Sequence, residues 1–497
     1  MNASKTGGLL TPVWNYFGYD EPNYTYAPNG RKLTEELAAS SASQVHIRVH
    51  NLLTSGDGTA SLKWGSTNAY TEDNAGHPVY NWSIVDRIFD TWIQAGVKPF
   101  VEIGFMPEAL STHPAPYRHN FPQGTVFTGW SYPPKDYSKW SQLVYRWVKH
   151  CAERYGAKEA ATWDWEVWNE PDIAYWHGTP DEYDKLYDIT AAAIKRALPS
   201  ARVGGPATTG PANPKAAAFL KQFLDHCAAA RSPLDFISFH AKGRPEVVNG
   251  HLRMGLGQEL KDVSAGFSIV RASKFRDLPI VLSEADPEGC AACSARTNPR
   301  NTYRNGTLYA AYEAAAMKGI LELAAQSAVN LRGILTWAFE FENQSYFDGF
   351  RTLATNGIDK PVLNFFRMAG LLSGDIIPVE RNALASRSAN RLTVLTWNYE
   401  EDDVPGPPAK VVLNISGLPV EARRVLLRHY RIDEAHSNAY AVWKQMASPQ
   451  SPSADQIEAL QRAGQLGLLG SPRWIDAAAP LQFDLPRGSV SLIELSW

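Results

Sequence analysis

The chain has 497 residues, 44% of them hydrophobic and 20% charged, with 36 Gly and 33 Pro. That balance excludes a disordered, collagen-like or coiled-coil protein and leaves room for about two to four domains, or one large barrel with an appendage. Forty-eight basic residues against 51 acidic ones give a net charge of -3, so no global positive field exists for nucleic acid or an anionic membrane, and neither is expected as a partner.

Short β-branched or aromatic runs bounded by Gly, Pro or Asn recur along the first three quarters of the chain, with helix-like stretches between them. That is the pattern of repeated β-α units and a parallel sheet. Eight strands are predicted: Val13 to Phe17, Gln44 to Val49, Lys98 to Ile103, Trp163 to Trp168, Arg202 to Gly205, Asp235 to His240, Ile280 to Glu284 and Gly333 to Phe339. Ser138 to Tyr155 and Tyr183 to Ala197 show apolar residues at three- and four-residue spacing, with Gly156 and Pro199 as stops. The expectation is an α/β fold, a (β/α)8 TIM barrel over residues 13–372 with long loops after its strands.

Beyond residue 372 the pattern changes to alternating strands, as in Arg391 to Trp397, Lys410 to Leu413, Arg424 to Tyr430 and Ser489 to Leu495, with one helical insert at Ala454 to Ala463. This predicts a β-sandwich-like accessory domain over 373–497, joined by residues 1–12. Tyr430 to Asn438 reads either as a strap facing the barrel or as a strand and turn, and the acidic, Pro-rich Glu400 to Pro408 as a solvated hairpin loop. The four cysteines are too few to staple a chain this long and fit a reducing compartment. The Cys290/Cys293 spacing leaves a disulfide, free thiols or a metal site open. Met1 to Gly18 carries no apolar run of signal-peptide length and no stretch approaches the ~20 apolar residues of a membrane span, so a cytoplasmic location is expected.

In this barrel class the reacting groups stand at the carboxyl ends of the strands. The fourth predicted strand ends in Asn169-Glu170-Pro171 and the seventh in Ser283-Glu284-Ala285-Asp286. Pro171 should bias Glu170 to extended geometry and stop the strand at the acid. Two carboxyls facing each other across the barrel mouth suit glycoside hydrolysis, in which one protonates the leaving oxygen while the other attacks the anomeric carbon.

With those residues in place the sequence resembles the retaining glycosidases of clan A, and among them glycoside hydrolase family 39, which holds β-xylosidases and α-L-iduronidases. The resemblance rests on Trp165-Glu-Val-Trp-Asn-Glu-Pro-Asp172, Gly204-Gly-Pro206, Ile237-Ser-Phe-His-Ala-Lys-Gly243, Ser283-Glu-Ala-Asp-Pro287, Lys360-Pro-Val-Leu363 and Tyr430-Arg-Ile-Asp-Glu-Ala-His-Ser-Asn438. It implies Glu170 as general acid/base, Glu284 as nucleophile, and a covalent glycosyl-enzyme with the carboxyls about 5 to 5.5 Å apart. It further implies that Asn169 binds the sugar 2-OH and that His50 and His240 line the pocket; of Glu340 and Glu342, which closely follow Trp337, one is read as binding sugar hydroxyls, and Glu342 is the one taken. Trp337 either stacks on the sugar or packs the barrel. Two-carboxylate chemistry needs no cofactor and no metal, and the expected partner is a small oligosaccharide.

The sugar is read as a terminal β-D-xylose on a xylo-oligosaccharide. The alternative is an α-L-iduronidase-like enzyme, because Lys242 stands where xylosidases tend to carry Tyr, and Arg351 could join it in binding a uronate carboxylate. Against that, Lys242 can pair with Glu284 or Asp286, and Arg351 with the Asp348 loop. An exo-acting pocket would need His113 to Pro134 to wall off one side of the mouth. A barrel that binds sugar without cleaving it is a further alternative, made remote by the two intact carboxyls.

Overall fold

Eight parallel strands close on themselves in the computed structural model, which describes residues 1–121, 124–337, 339–380 and 382–497. They are β1 (Tyr16–Tyr19), β2 (His46–Val49), β3 (Lys98–Ile103), β4 (Asp164–Val167), β5 (Arg202–Thr208), β6 (Phe236–Lys242), β7 (Pro279–Asp286) and β8 (Asn330–Trp337). Each is hydrogen-bonded to the next, and β8 to β1. The principal helix after each strand is α1 (Pro28–Ala39), α2 (Ser83–Ala95), α3 (Tyr137–Tyr155), α4 (Pro180–Ala197), α5 (Pro214–Ala230), α6 (Leu256–Ala272), α7 (Thr307–Ser327) and α8 (Pro361–Gly370). The sequence sets several helix starts directly. Asp136 accepts from Ser138 N and Lys139 N to open α3, Thr179 and Glu182 cap α4 reciprocally, and Asn213 caps α5.

Strand alternation sorts the side chains between two environments. Ile47, Val49, Val101, Ile103, Trp165 and Val167 belong to the large apolar cluster shared with the helices. The alternate positions point into the barrel, where Tyr16, Phe100, Phe236, Val281 and Leu335 pack together. Nearer the carboxyl ends the inward positions are charged: Arg48, Glu102 and Glu166 are all fully buried. The first strand begins later than expected because Val13 and Trp14 sit in a turn, although both are buried. The eighth ends at Trp337, and Ala338 of the predicted strand lies outside the described residues.

The C-terminal part contains β9 (Asp375–Ile377), β10 (Ala383–Ser388), β11 (Arg391–Trp397), β12 (Ala409–Leu413), β13 (Arg424–Ile432), β14 (Arg473–Asp476), β15 (Leu481–Leu485) and β16 (Val490–Ser496). Six of these form an antiparallel sheet in the order β9-β10-β11-β16-β13-β14, and β12 pairs with β15. One sheet face buries Leu392, Val394, Val425, Leu427, Ile493 and Leu495 in a core of its own. Leu395, Trp397, Ile432, Val490 and Leu492 join the barrel's cluster instead. The N-terminal residues return to this part, with Asn2 bridging Ser416 and Leu9 bridging Asp375.

Tyr430 to Asn438 is the end of β13, a turn, and Asn438 capping the short α9 (Ala439–Gln445). With α10 (Ala454–Gly464), α9 packs Trp443 and Leu460 on Phe347 and Ile358 of the loop after β8. The acidic loop is solvated at Glu400 and from Asp403 to Pro408, as expected, and is also tied to the barrel: Glu401 accepts from Leu256 N at the start of α6, and Asp403 from Leu252 N. Cys290 and Cys293 form a disulfide, while Cys151 and Cys227 are free and buried. No helix among the described residues is long and apolar enough to cross a membrane.

Candidate active site

Glu170 is aimed by its backbone. Trp168 and Glu170 hold φ values of 73° and 43°, left-handed conformations that cost a non-glycine residue about 1 to 3 kcal/mol and need support from their surroundings. The support is visible: Trp168 N donates to Ile103 O, Trp168 Nε1 to Tyr175 O at 2.9 Å, and Glu170 N to Ala207 O at 2.9 Å. The extended geometry expected before Pro171 is therefore not what forms, because the bond to Ala207, where β5 runs into its following loop, turns the chain at Glu170. Asp172 secures the same loop by accepting from Thr209 N at 2.9 Å and from the Thr209 hydroxyl.

A register shift between Phe239 and His240 sets His240 opposite Glu284 and Lys242 opposite Asp286. His240 Nδ1 lies 2.9 Å from Glu170 Oε1 and 3.8 Å from Glu284 Oε2. One carboxylate oxygen of each glutamate and a nitrogen of His240 all fall within 4.8 Å of one another. The carboxyls of strands four and seven thus converge across the mouth.

Both oxygens of Glu284 are held by cationic or ring donors. Lys242 Nζ approaches Oε2 at 2.7 Å, while Arg48 Nη1 and His50 Nε2 stand 3.3 and 3.6 Å from Oε1. Burial opposes ionisation of this carboxyl, but His240, Lys242, His50 and Arg48 together outweigh it and carry Glu284 well below the usual carboxylate range. Their positive charge is also a poor setting for a metal ion at Glu170, His240 and Glu284.

The remaining predicted residues divide into two groups. Asn169 is close by: Arg48 Nη2 donates to its Oδ1 at 2.9 Å, leaving the amide NH2 as a donor. His50 is pushed down by burial but pulled further up by Glu102, to about 9, and keeps a short hydrogen bond to that carboxylate. Trp337 packs its ring 4.3 Å from His50 and donates Nε1 to Asp20 Oδ2 at 3.0 Å. Gly18 makes room for it, since a Cβ there would lie 2.4 Å from the indole.

Lys242 joins Glu284 to Asp286, the pairing weighed from sequence. Arg351 and Glu342 lie apart from this group. Arg351 is fully buried behind Asp286, 3.2 Å from Oδ2, and donates to Glu288 O rather than meeting Asp348, which pairs with Arg296. Glu342 accepts from Asn29 N and Nδ2 at 3.0 and 3.1 Å, at the positive end of α1.

Sequence reasoning passed over the layer beneath the glutamates. Arg48 touches Glu102 at 2.9 Å and Glu166 at 2.5 Å as well as Glu284. Lys63 reaches Asp20 at 2.6 Å from the loop after β2. The signal was a single charged residue at an inward position in each of the apolar runs Ile47-Arg-Val49, Val101-Glu-Ile103 and Trp165-Glu-Val167.

A (β/α)8 barrel carrying one ionised carboxylate opposite a second carboxyl, with a buried amide donor beside them, is the machinery of a glycoside hydrolase. The sequence profile of the glycosyl hydrolases family 39 matches residues 1–466, and the chain belongs to that family. A β-xylosidase from Geobacillus stearothermophilus is 30% identical over 438 residues, 84% of this chain and 81% of the relative. The α-L-iduronidase of Mus musculus is 25% identical over 373 residues, 65% of this chain and 56% of the relative. Among solved structures, a monomeric β-xylosidase from Caulobacter crescentus CB15 superposes with a TM-score of 0.83 at 23% identity, covering 100% of this chain and 98% of that one.

Proposed function

We propose that this glycosidase is a retaining, exo-acting β-D-xylosidase that releases terminal xylose from xylo-oligosaccharides by double displacement. The observation that carries the mechanism is the contrast between the two carboxyls. Glu284 is fixed as an anion by Lys242, Arg48 and His50, while Glu170 approaches it to 4.8 Å or less with His240 bonded to its Oε1. That approach supports the ~5 to 5.5 Å carboxyl spacing of a retaining enzyme over the ~6.5 to 9.5 Å of an inverting one.

In the first step Glu284 attacks the anomeric carbon as the glycosidic C–O bond breaks, and Glu170 gives its proton to the leaving oxygen. In the second step Glu170 takes a proton from water, which attacks the same carbon and displaces Glu284. Asn169, its Oδ1 held by Arg48, presents its amide NH2 to the 2-OH, and Trp337 offers an apolar surface beside His50.

The choice of xylose rests on the β-xylosidase relative at 30% identity and on the pocket cations. A uronate needs a cation to spare, whereas Lys242 is shared by Glu284 and Asp286, and Arg351 is sealed behind Asp286. The exo reading is supported by the loops after β2 and β3, where Trp64 packs on Trp130 and Met106 bridges it. Residues 122 and 123 of the expected lid lie outside the described residues.

The test compares initial rates on 4-nitrophenyl β-D-xyloside and an aryl α-L-iduronide, with Lys242→Tyr alongside. Xyloside turnover whose first product is β-xylose, by proton NMR, is the expected result. Iduronide turnover that is lost in Lys242→Tyr would replace the xylosidase with a uronate-processing enzyme, and α-xylose as first product would overturn retention.

A further inference from the structure

A second cleft, of about 490 Å³, opens between the loops after β5 and β6. Thr209, Asn213, Lys242, Arg244, Gln258 and Asp262 contribute to its walls. One of its ends reaches Glu284 through Lys242, and the other reaches the turn that follows Glu170. Thr209 is bonded to Asp172, two residues beyond Glu170, and Lys242 is bonded to Glu284. Since Glu170 serves the leaving oxygen, the departing sugar exits on the Glu170 side, where β5 runs into its following loop just past the Glu170–Ala207 hydrogen bond.

The walls are built rather than loose. Asp262 on α6 accepts from Ala212 N at 3.1 Å and from Lys242 N at 3.2 Å, tying one loop to the other. Gly210 permits this approach, because a Cβ there would lie 2.2 Å from Asp262 Oδ2. The backbone at Arg244 is equally fixed. Gly243 N donates to Asp286 O at 2.9 Å, and Gly255 packs so closely on Arg244 that a Cβ would lie 2.3 Å from its carbonyl oxygen.

The charges in the cleft are unequal in what they have left to offer. Lys242 is neutralised by Glu284 and Asp286, and Asp262 is directed at backbone N–H groups. Arg244, on its pinned backbone, is exposed, and its guanidinium makes no hydrogen bond or ion pair with the described residues. An unspent, forked donor beside the exit of the leaving group is suited to a carboxylate.

Resting on the β-xylosidase reading, we propose that this cleft is the leaving-group subsite and that Arg244 in it recognises a uronate substituent on the departing saccharide, so that acidic xylo-oligosaccharides are preferred to neutral ones. The distinction from the iduronidase alternative is positional. The carboxylate here sits on the sugar that leaves, not on the one attacked.

The experiment measures kcat/KM on xylobiose and on xylobiose whose reducing-end sugar bears a glucuronosyl group, with 4-nitrophenyl β-D-xyloside as a third substrate, for wild type, Arg244→Gln and Arg244→Glu. The expected wild-type preference for the acidic trisaccharide over xylobiose is about tenfold, carried mainly by KM and reduced by added salt. Arg244→Gln brings the ratio of acidic to neutral near one, and Arg244→Glu inverts it. A ratio that Arg244→Gln leaves unchanged, or a wild type that prefers neither saccharide, would overturn the subsite while nitrophenyl xyloside turnover kept the xylosidase reading intact. No turnover of any of the three would sink that reading, and the subsite with it.

Discussion

Two histidines at opposite ends of one strand meet opposite fates. His46 opens β2 at the amino end of the barrel, stacked on Tyr16 with centroids 4.6 Å apart, and burial pushes its imidazole down to about 4 despite Asp164. His50, just past the carboxyl end of the same strand, is buried too, yet Glu102 and its neighbours lift it to about 9. Near His46 the one inward carboxylate, Asp164, is claimed by Arg202 and Arg332 at 2.8 and 2.7 Å. Around His50 carboxylates from three strands and Asp20 share Arg48 and Lys63. Burial by itself makes a neutral packing group at one end; burial beside surplus negative charge makes a working cation at the other.

The sharpest way to break this contrast is to remove the centre of the working end. Glu284→Gln should lower kcat by about 10⁴-fold or more while the protein still unfolds cooperatively, measured by single-turnover release of nitrophenol and by thermal unfolding. If most turnover survived, the proposed nucleophile would be elsewhere.

Arg48→Met against Arg332→Met asks whether the two charged ends are functionally unlike. Arg48→Met takes the Arg48 ion pair from Glu166 and leaves Glu102 facing it with His50 as its remaining partner, so a stability loss of about 3 to 5 kcal/mol is expected, with a fall in kcat as Asn169 loses its anchor. Arg332→Met leaves Asp164 with Arg202, and a loss of about 1 to 3 kcal/mol with undiminished turnover per folded molecule is expected. Denaturant unfolding and rates corrected for folded fraction separate the two, and equal loss of turnover would erase the distinction.

The smallest effects lie in pH dependence, and there the histidines pull in opposite directions. His46 has its folded value lowered, so its contribution to stability rises between about pH 4 and 6.5. His50 has its folded value raised, so its contribution is complete below about 6.5 and is lost toward 9. His46→Phe should flatten the acid side of a plot of Tm against pH, and His50→Gln the alkaline side. A profile that each variant merely shifted without changing slope would remove the charge assignment.

The barrel and the meeting of Glu170 with Glu284 at its mouth were legible because both depend on local signals. Apolar runs punctuated by Gly, Pro and Asn mark strands, and Asn169-Glu170-Pro171 and Ser283-Glu284 announce acids at strand ends. The tier beneath them was not legible, because Arg48, Glu102 and Glu166 are far apart in sequence and meet only when strand alternation and barrel closure turn all three inward. Arg351 and Glu342 belong to the segment after β8, whose path is set by packing of Phe341 on Phe350 and of Phe347 on Trp443. No periodicity reports such a path. Glu170 likewise follows a hydrogen bond to a distant loop rather than the preference of its neighbour Pro171.

The place of β16 has a bearing on how the molecule is made. It follows every other described strand in the sequence, yet it is inserted between β11 and β13, with seven register partners on each side. Until Val490–Ser496 emerges, those two strands present unsatisfied edges on a surface that carries Leu395 and Trp397 toward the barrel. A chain ending before Val490 therefore leaves two open strand edges, which are templates for pairing with another chain.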